Sequence, residues 1–293
     1  MSAADAARPY EDGYFTVPDG LRLHYRDYPG CADKPPLLCL PGLTRNARDF
    51  AQLAERYSPR FRVIAVEFRG RGMSEYDPIP ARYLPLVYAQ DVVELLDQLA
   101  VPRAIFVGTS LGGLVTMAVA GLALDRIAAA ILNDIGPEIA AAGIDRIKSY
   151  VGQAVRFNSW DEAAETIANN TGHAFDNYTH DDWVRMAKRN CREDNGAIVF
   201  DYDMAIALPF NRADSNSQFD MWPLFAALAQ RPLLVIRGAK SDLLSAEALE
   251  KMHAAAPDMQ SALVAGVGHA PELNEPKAVA AIDAFLSGVE LTL

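Results

Sequence analysis

Cysteine is scarce in this chain, with Cys31, Cys39 and Cys191 the only three among 293 residues. An odd and widely spaced set is neither a disulfide framework nor a zinc pattern. Cys39 lies in an apolar run and reads as a small core residue. Positive charge is also in short supply: 27 Lys and Arg face 38 Asp and Glu, a net charge of −11. A field of that sign repels phosphate backbones and anionic lipid, so neither nucleic acid nor a membrane surface is an expected partner. The start, MSAADAARPYEDGYF, lacks a cationic segment followed by an apolar one, so no signal peptide is expected. A long unbroken hydrophobic run is missing too. Residues 104–132 are interrupted by Gly108, Gly112, Gly113, Asp125 and Arg126, and read as strand, helix and strand rather than a membrane span. These absences make a reducing cytoplasm the expected location. What is present is a core: 51% of residues are hydrophobic and 9% aromatic, enough for one large domain or a domain with an insertion, and too much for disorder.

Short β-rich runs alternate with helical patterns. YFTV (14–17) and LRLHYRDY (21–28) flank Pro18-Asp19-Gly20, so the chain is expected to open as an antiparallel hairpin. PLLCL (36–40), FRVIAVEF (61–68), AIFVG (104–108), AAAILN (128–133), PLLVIRG (232–238) and SALVAGV (261–267) follow, most of them apolar throughout, as strands buried on both faces of a parallel sheet are. Amphipathic stretches at 47–57, 85–99, 111–124, 245–256 and 276–287 lie between them. This repetition predicts an α/β fold with helices on both sheet faces. Residues 137–218 break the rhythm and show no central strand, and YVGQAVRF, WDEAAETIANN and DDWVRMAKRN have helical spacing. We read that interval as an inserted, mostly helical subdomain, leaving residues 1–136 and 219–293 as the core.

Within AIFVGTSLGG (104–113), Gly108, Ser110 and Gly112 fit G-x-S-x-G. The pattern follows a buried strand and opens an apolar helix, which is the context of a nucleophile elbow. Small neighbours permit the tight turn, and the helix start aims free N–H groups at the site. The alternative is Ser110 as a plain helix N-cap. A serine nucleophile needs a base. His24, His173, His180 and His253 sit in an outer strand, the insertion or a helix and read as surface or core residues. His269 instead follows the last strand in GVGHAPELNEP, at the strand end where open α/β sheets bind ligands. The base in turn needs an acid. Asp242, in PLLVIRGAKSDLL, is the first choice, and Asp134, in ILNDIGPE, is the rival. Backbone N–H groups of Leu43 and Leu111 are the candidate oxyanion donors. No metal and no organic cofactor is called for.

With elbow, acid, base and oxyanion loop in chain order, the sequence resembles the α/β-hydrolase superfamily, and more narrowly its capped bacterial serine hydrolases. The segment VIAVEFRGRGMSEYDP (63–78) is similar to their D-x-R-G-x-G-x-S stretch, with Glu67 where many relatives carry Asp. The oxyanion loop reads Pro41-Gly42 where many members have His-Gly, which leaves Thr44, Arg45 and Asn46 to replace the lost support or touch substrate. A serine nucleophile argues against the epoxide hydrolases and haloalkane dehalogenases of this fold, which use Asp. The resemblance implies a hydrolase acting on a small carboxylic ester or lactone, with residues 137–218 as a cap that selects substrate. Among the cap aromatics and their neighbours Phe157, Trp160, Phe175, Trp183, Phe210 and Trp222, the tentative substrate contacts are Trp160 and Trp183, together with Arg45. A carbon–carbon hydrolase of aromatic ring-fission products and a ligand-binding receptor on the same fold remain alternatives. A homo-oligomer is compatible with the sequence, which does not specify one.

Overall fold

The computed structural model of the protein describes residues 8–212 and 220–289. The first seven residues of the expected leaderless start, and the expected boundary at 218–219, lie outside them. The chain runs β1 (Glu11–Thr16), β2 (Arg22–Tyr28), β3 (Leu37–Leu40), α1 (Ala51–Tyr57), β4 (Val63–Val66), α2 (Pro85–Gln98), β5 (Ala104–Thr109), α3 (Leu111–Ala123) and β6 (Ile127–Asn133). It continues with α4 (Ala141–Lys148), β7 (Arg156–Phe157), α5 (Trp160–Thr171), α6 (His180–Asn190), β8 (Cys191–Asp194), β9 (Ala197–Phe200) and α7 (Ala207–Arg212). It closes with α8 (Trp222–Leu228), β10 (Leu233–Gly238), α9 (Ala246–Ala255), β11 (Gln260–Val264) and α10 (Pro276–Gly288).

Eight strands form one sheet in the order β1-β2-β4-β3-β5-β6-β10-β11. The Pro-Asp-Gly turn closes the β1–β2 hairpin, with Gly20 at φ +91°. β2 then pairs antiparallel with β4, and every later pairing is parallel. The apolar runs are explained by what covers them. Leu38, Leu40, Ile64 and Val66 enter one core with α2, α3, α8 and α9, while Leu37, Cys39, Val63 and Ala65 enter the other with α1 and α10. Alternate residues thus leave opposite faces of the sheet, and both faces are dry. The sequence's eight strands and five helices of this core are all present; α8 is the element its spacing did not reveal.

Among the described residues, the interval between β6 and α8 contributes no strand to the large sheet. It is not only helical, however: β7, β9 and β8 form an antiparallel sheet of their own. The hairpin β8–β9 turns on Asn195 and Gly196, with φ of 47° and 77°. An Asn-Gly pair suits a two-residue turn that needs positive φ twice. This interval has its own apolar cluster, including Phe157, Ile167, Phe175, Trp183 and Met186. Polar contacts tie it to the loop after β3. Arg48 donates to the Arg189 and Cys191 carbonyls and to Asp201 at 2.6 Å, and the Asn46 amide donates to the Arg189 carbonyl at 2.9 Å. Among the described residues no helix is long and apolar enough to cross a membrane.

Candidate active site

Ser110 occupies a backbone conformation that an L-residue rarely adopts, φ 53° and ψ −115°, between the end of β5 and the start of α3. Such strain persists only where the surroundings impose it. Here a Cβ on Gly108 would stand 2.5 Å from the Gly112 carbonyl oxygen, and one on Gly112 would stand 2.0 Å from that of Leu40. Only glycines let strand and helix approach this closely. The Ser110 side chain makes no cap bond to α3. It faces a different partner.

His269, in the loop after β11, places Nε2 2.8 Å from Ser110 Oγ and Nδ1 2.8 Å from Asp134 Oδ2. A carboxylate only accepts, so Nδ1 carries the proton and Nε2 is left to accept from the serine hydroxyl. Asp134 directly follows β6 and is fully buried. Its carboxylate also accepts from the Gly238 amide at 2.8 Å and the Ser241 hydroxyl at 2.6 Å. Asn133 steadies the histidine loop from below, its amide donating to the Pro271 carbonyl at 2.8 Å.

Asp242, the acid favoured on sequence grounds, does not contact His269 through a hydrogen bond. Its two oxygens accept from Arg146 Nε at 2.5 Å and Nη2 at 2.9 Å. Burial pushes its carboxyl up, but the hydrogen bonds and charge of Arg146, helped by the nearby His269, outweigh that and hold it below its ordinary 3.8. The rival, Asp134, holds the position beside the imidazole. The reason lies in the turn after β10: the Ser241 amide donates to the Gly238 carbonyl, which aims the Ser241 hydroxyl at Asp134 and turns Asp242 outward to α4.

Leu111 opens α3 directly after Ser110, and Leu43 lines the same cavity as the serine; among the described residues the Leu43 amide has no protein acceptor. The support missing with the His-Gly imidazole comes from Arg71. It is fully buried, and its Nε donates to the Leu43 carbonyl at 2.9 Å. Nothing in the spacing of FRGRG marks which arginine would do this, because the contact spans 28 positions. Glu67, in place of the commoner Asp, is buried and accepts from the Met73 amide at 2.6 Å while facing His24 Nδ1 at 2.9 Å.

Above Ser110 lies a cavity of about 170 Å³, floored by the ends of β5 and β6 and roofed by α4, α5, α6 and β9. Arg45 lines it; Trp160 and Trp183 do not. Trp183 packs edge-on to Phe175 in the apolar cluster of Phe157, Ile167 and Met186, and Trp160 packs against the same cluster. Of the six aromatics considered, Phe175 reaches the cavity. Phe157 is core, Phe210 packs in a small cluster near Ile147, and Trp222 donates from α8 to Glu138. Side chains that sequence reasoning did not single out do reach it, among them Arg146, Tyr150, Arg189, Asn190 and Glu272. Arg146 and Tyr150 were within reach of a pattern, being one helical turn apart. Arg45 is held by Asp49 through Nε at 2.6 Å and Nη2 at 2.8 Å, and Arg189 pairs with Glu272. No group of three or more His, Cys, Asp or Glu among the described residues is placed to hold a metal ion.

Comparison with known proteins gives the family. The family model described as "Alpha/beta hydrolase family" matches residues 37–282. A 3-hydroxybutyrate-oligomer hydrolase of Cupriavidus necator is 33% identical over 280 residues, 92% of this chain and 95% of that protein. A 2-(acetamidomethylene)succinate hydrolase of Mesorhizobium japonicum is 28% identical, covering 80% of this chain and 81% of its own. Among solved structures, an alpha/beta hydrolase from Novosphingobium aromaticivorans superposes with a TM-score of 0.91 at 49% identity, over 95% of this chain and 98% of that one. The family match takes in β3 to β11 with Ser110 and His269, and on that ground the chain belongs to the alpha/beta hydrolase family.

Proposed function

We propose that this hydrolase cleaves small carboxylic esters through an acyl-enzyme on Ser110, with esters of short hydroxy acids as the substrate class. The observation that carries the reading is the hydrogen-bonded row Ser110–His269–Asp134, with 2.8 Å at both links. A serine hydroxyl is a weak nucleophile until a base within reach takes its proton. His269 Nε2 accepts that proton as Ser110 Oγ attacks the ester carbonyl carbon. The buried Asp134 carboxylate stabilises the imidazolium and keeps the ring in the productive orientation. The negative charge that builds on the carbonyl oxygen falls to the Leu43 and Leu111 amides, which need no polar side chains for the task. His269 then hands its proton to the leaving alkoxide, and the alcohol departs. Water, deprotonated by the same histidine, attacks the acyl carbon and frees Ser110.

The hydroxy-acid class rests on a relative, 33% identical and covered over 95% of its length, that is named a 3-hydroxybutyrate-oligomer hydrolase. A cavity of about 170 Å³ suits a short acyl or hydroxyacyl unit rather than a long chain. The test is hydrolysis of p-nitrophenyl acetate and butyrate and of 3-hydroxybutyrate dimer by wild type and Ser110→Ala. The variant is expected to lose at least about a thousandfold in kcat while keeping its circular dichroism and melting temperature. A folded Ser110→Ala variant that turns over at the wild-type rate overturns the reading.

A further inference from the structure

We propose that the cavity wall beside Ser110 is a carboxylate subsite, in which Arg45 and Arg146 with the Tyr150 hydroxyl hold a free carboxylate that the ester carries near its scissile bond. The subsite rests on the serine-hydrolase reading and names the group that reading leaves open. A chain of net charge −11 repels anions over most of its surface. The cavity gathers three arginines, Arg45, Arg146 and Arg189, in its lining with Asp49 and Glu272, while the Asp242 that pairs with Arg146 is not part of that lining.

The arginines are arranged for a ligand rather than consumed by their partners. Asp49 grips Arg45 along the Nε–Nη2 edge, and Asp242 grips Arg146 along the same edge. A guanidinium has five N–H donors and a bidentate carboxylate uses two, so each keeps donors for a second acceptor. Arg45 Nη1 has no protein acceptor among the described residues. Pinning also removes most of the rotamer freedom that a free arginine would lose on binding. Tyr150, four residues on from Arg146, lines the same cavity as both arginines. The position is right as well. Arg45 Cγ and Ser110 Cβ lie 3.3 and 3.8 Å from the point where a Gly42 Cβ would be, so the arginine is rooted beside the nucleophile. Asn190 also lines the cavity; it is buried and among the described residues its Oδ1 has no protein partner, an acceptor suited to a substrate hydroxyl.

The experiment compares esters that differ only in charge. One pair is 3-butyryloxybutanoate and its carboxamide, with the charge on the alcohol side. The other is monomethyl succinate and methyl succinamate, with the charge on the acyl side. In wild type, kcat/KM for the acid is expected to exceed that for the amide by at least about tenfold in one pair, chiefly through KM. The ratio is expected to fall towards one in Arg45→Met and in the Arg146→Met, Asp242→Asn double variant, which leaves no unpaired acid behind. Arg45→Lys keeps the charge without the fork and is expected to retain part of the ratio. Because each ratio is taken within one protein, a general loss of rate cancels. Wild-type ratios near one in both pairs, with the esters still hydrolysed, overturn the subsite and leave the serine-hydrolase reading standing. Ratios unchanged in folded arginine variants overturn it equally. Undiminished hydrolysis by Ser110→Ala strikes the underlying reading instead.

Discussion

Two aspartates lie beyond the ends of neighbouring strands in this protein, and their side chains have been given opposite work. Asp134 accepts three hydrogen bonds, from His269, Gly238 and Ser241, while Asp242 binds Arg146. Asp134→Asn is therefore expected to lower kcat on p-nitrophenyl butyrate by about 10⁴-fold, since an amide at that place no longer fixes the tautomer. Asp242→Asn is expected to cost less than about tenfold. The reverse order of losses, in steady-state kinetics, defeats the assignment. Asp242 has a second signature. Its folded carboxyl is held below the ordinary 3.8, so its stabilising contribution is complete above that value and fades as the pH falls below it. Wild type and Asp242→Asn are thus expected to differ in urea midpoint at neutral pH and to converge below about pH 3.8.

At the level of elements, the junction of β5 with α3 depends on hydrogen atoms where other residues have carbon. A methyl on Gly112 would meet the Leu40 carbonyl oxygen at 2.0 Å, and a strand carbonyl in mid-sheet cannot step aside. Gly112→Ala is expected to destabilise by at least about 2 kcal/mol in urea titration, with a loss of activity on top because Ser110 sits on the same turn. A stability change below 0.5 kcal/mol, about the scale of neutral surface substitutions, would show that the helix can retreat. The hairpin β8–β9 teaches the complementary lesson. Its Asn195-Gly196 turn was written plainly in the sequence, but the flanking CRED and AIVF runs are short and lack clean alternation. Helical spacing on either side dominates such a stretch, so the small sheet emerges only when β7 arrives to pair with β9.

Across the whole molecule, one buried arginine knits together three distant segments. Arg69, after β4, binds Asp91 on α2 through Nε at 2.8 Å and Nη2 at 2.6 Å, and reaches Asp77 at 2.6 Å and Asp19 at 2.8 Å through Nη1. Burial works against its charge, but these acids prevail and its pKa is raised. Burial, partly offset by Arg69, also lifts the Asp91 carboxyl above its usual value. Arg69→Met would strand buried carboxylates without a counter-ion and is expected to cost about 3–5 kcal/mol of unfolding free energy. Those stranded acids would bind protons more readily in the folded state than in the unfolded one. The deficit relative to wild type should therefore shrink as the pH is lowered towards 4, measured by urea midpoints across that range. A deficit that grows with acid would contradict the picture.

Local chemistry alone determined the sheet strands, the helices between them, the elbow at Ser110 and the loop bearing His269. Each of these rests on near neighbours in sequence: apolar runs buried on both faces, glycines around one hydroxyl, a histidine just past a strand. Tertiary structure decided what local patterns leave degenerate. β6 and β10 are adjacent, with Asn133 opposite Ile236, so both aspartates emerge close to the same histidine. Only the path of the Gly238–Ser241 turn determines which of them faces it. The same holds for Arg71 beneath Leu43, and for Trp183 within the small apolar cluster and Trp160 packed against it rather than at the cavity. Sequence spacing fixes which residues share an element, whereas a side chain's contacts depend on how elements far apart in the chain pack against one another.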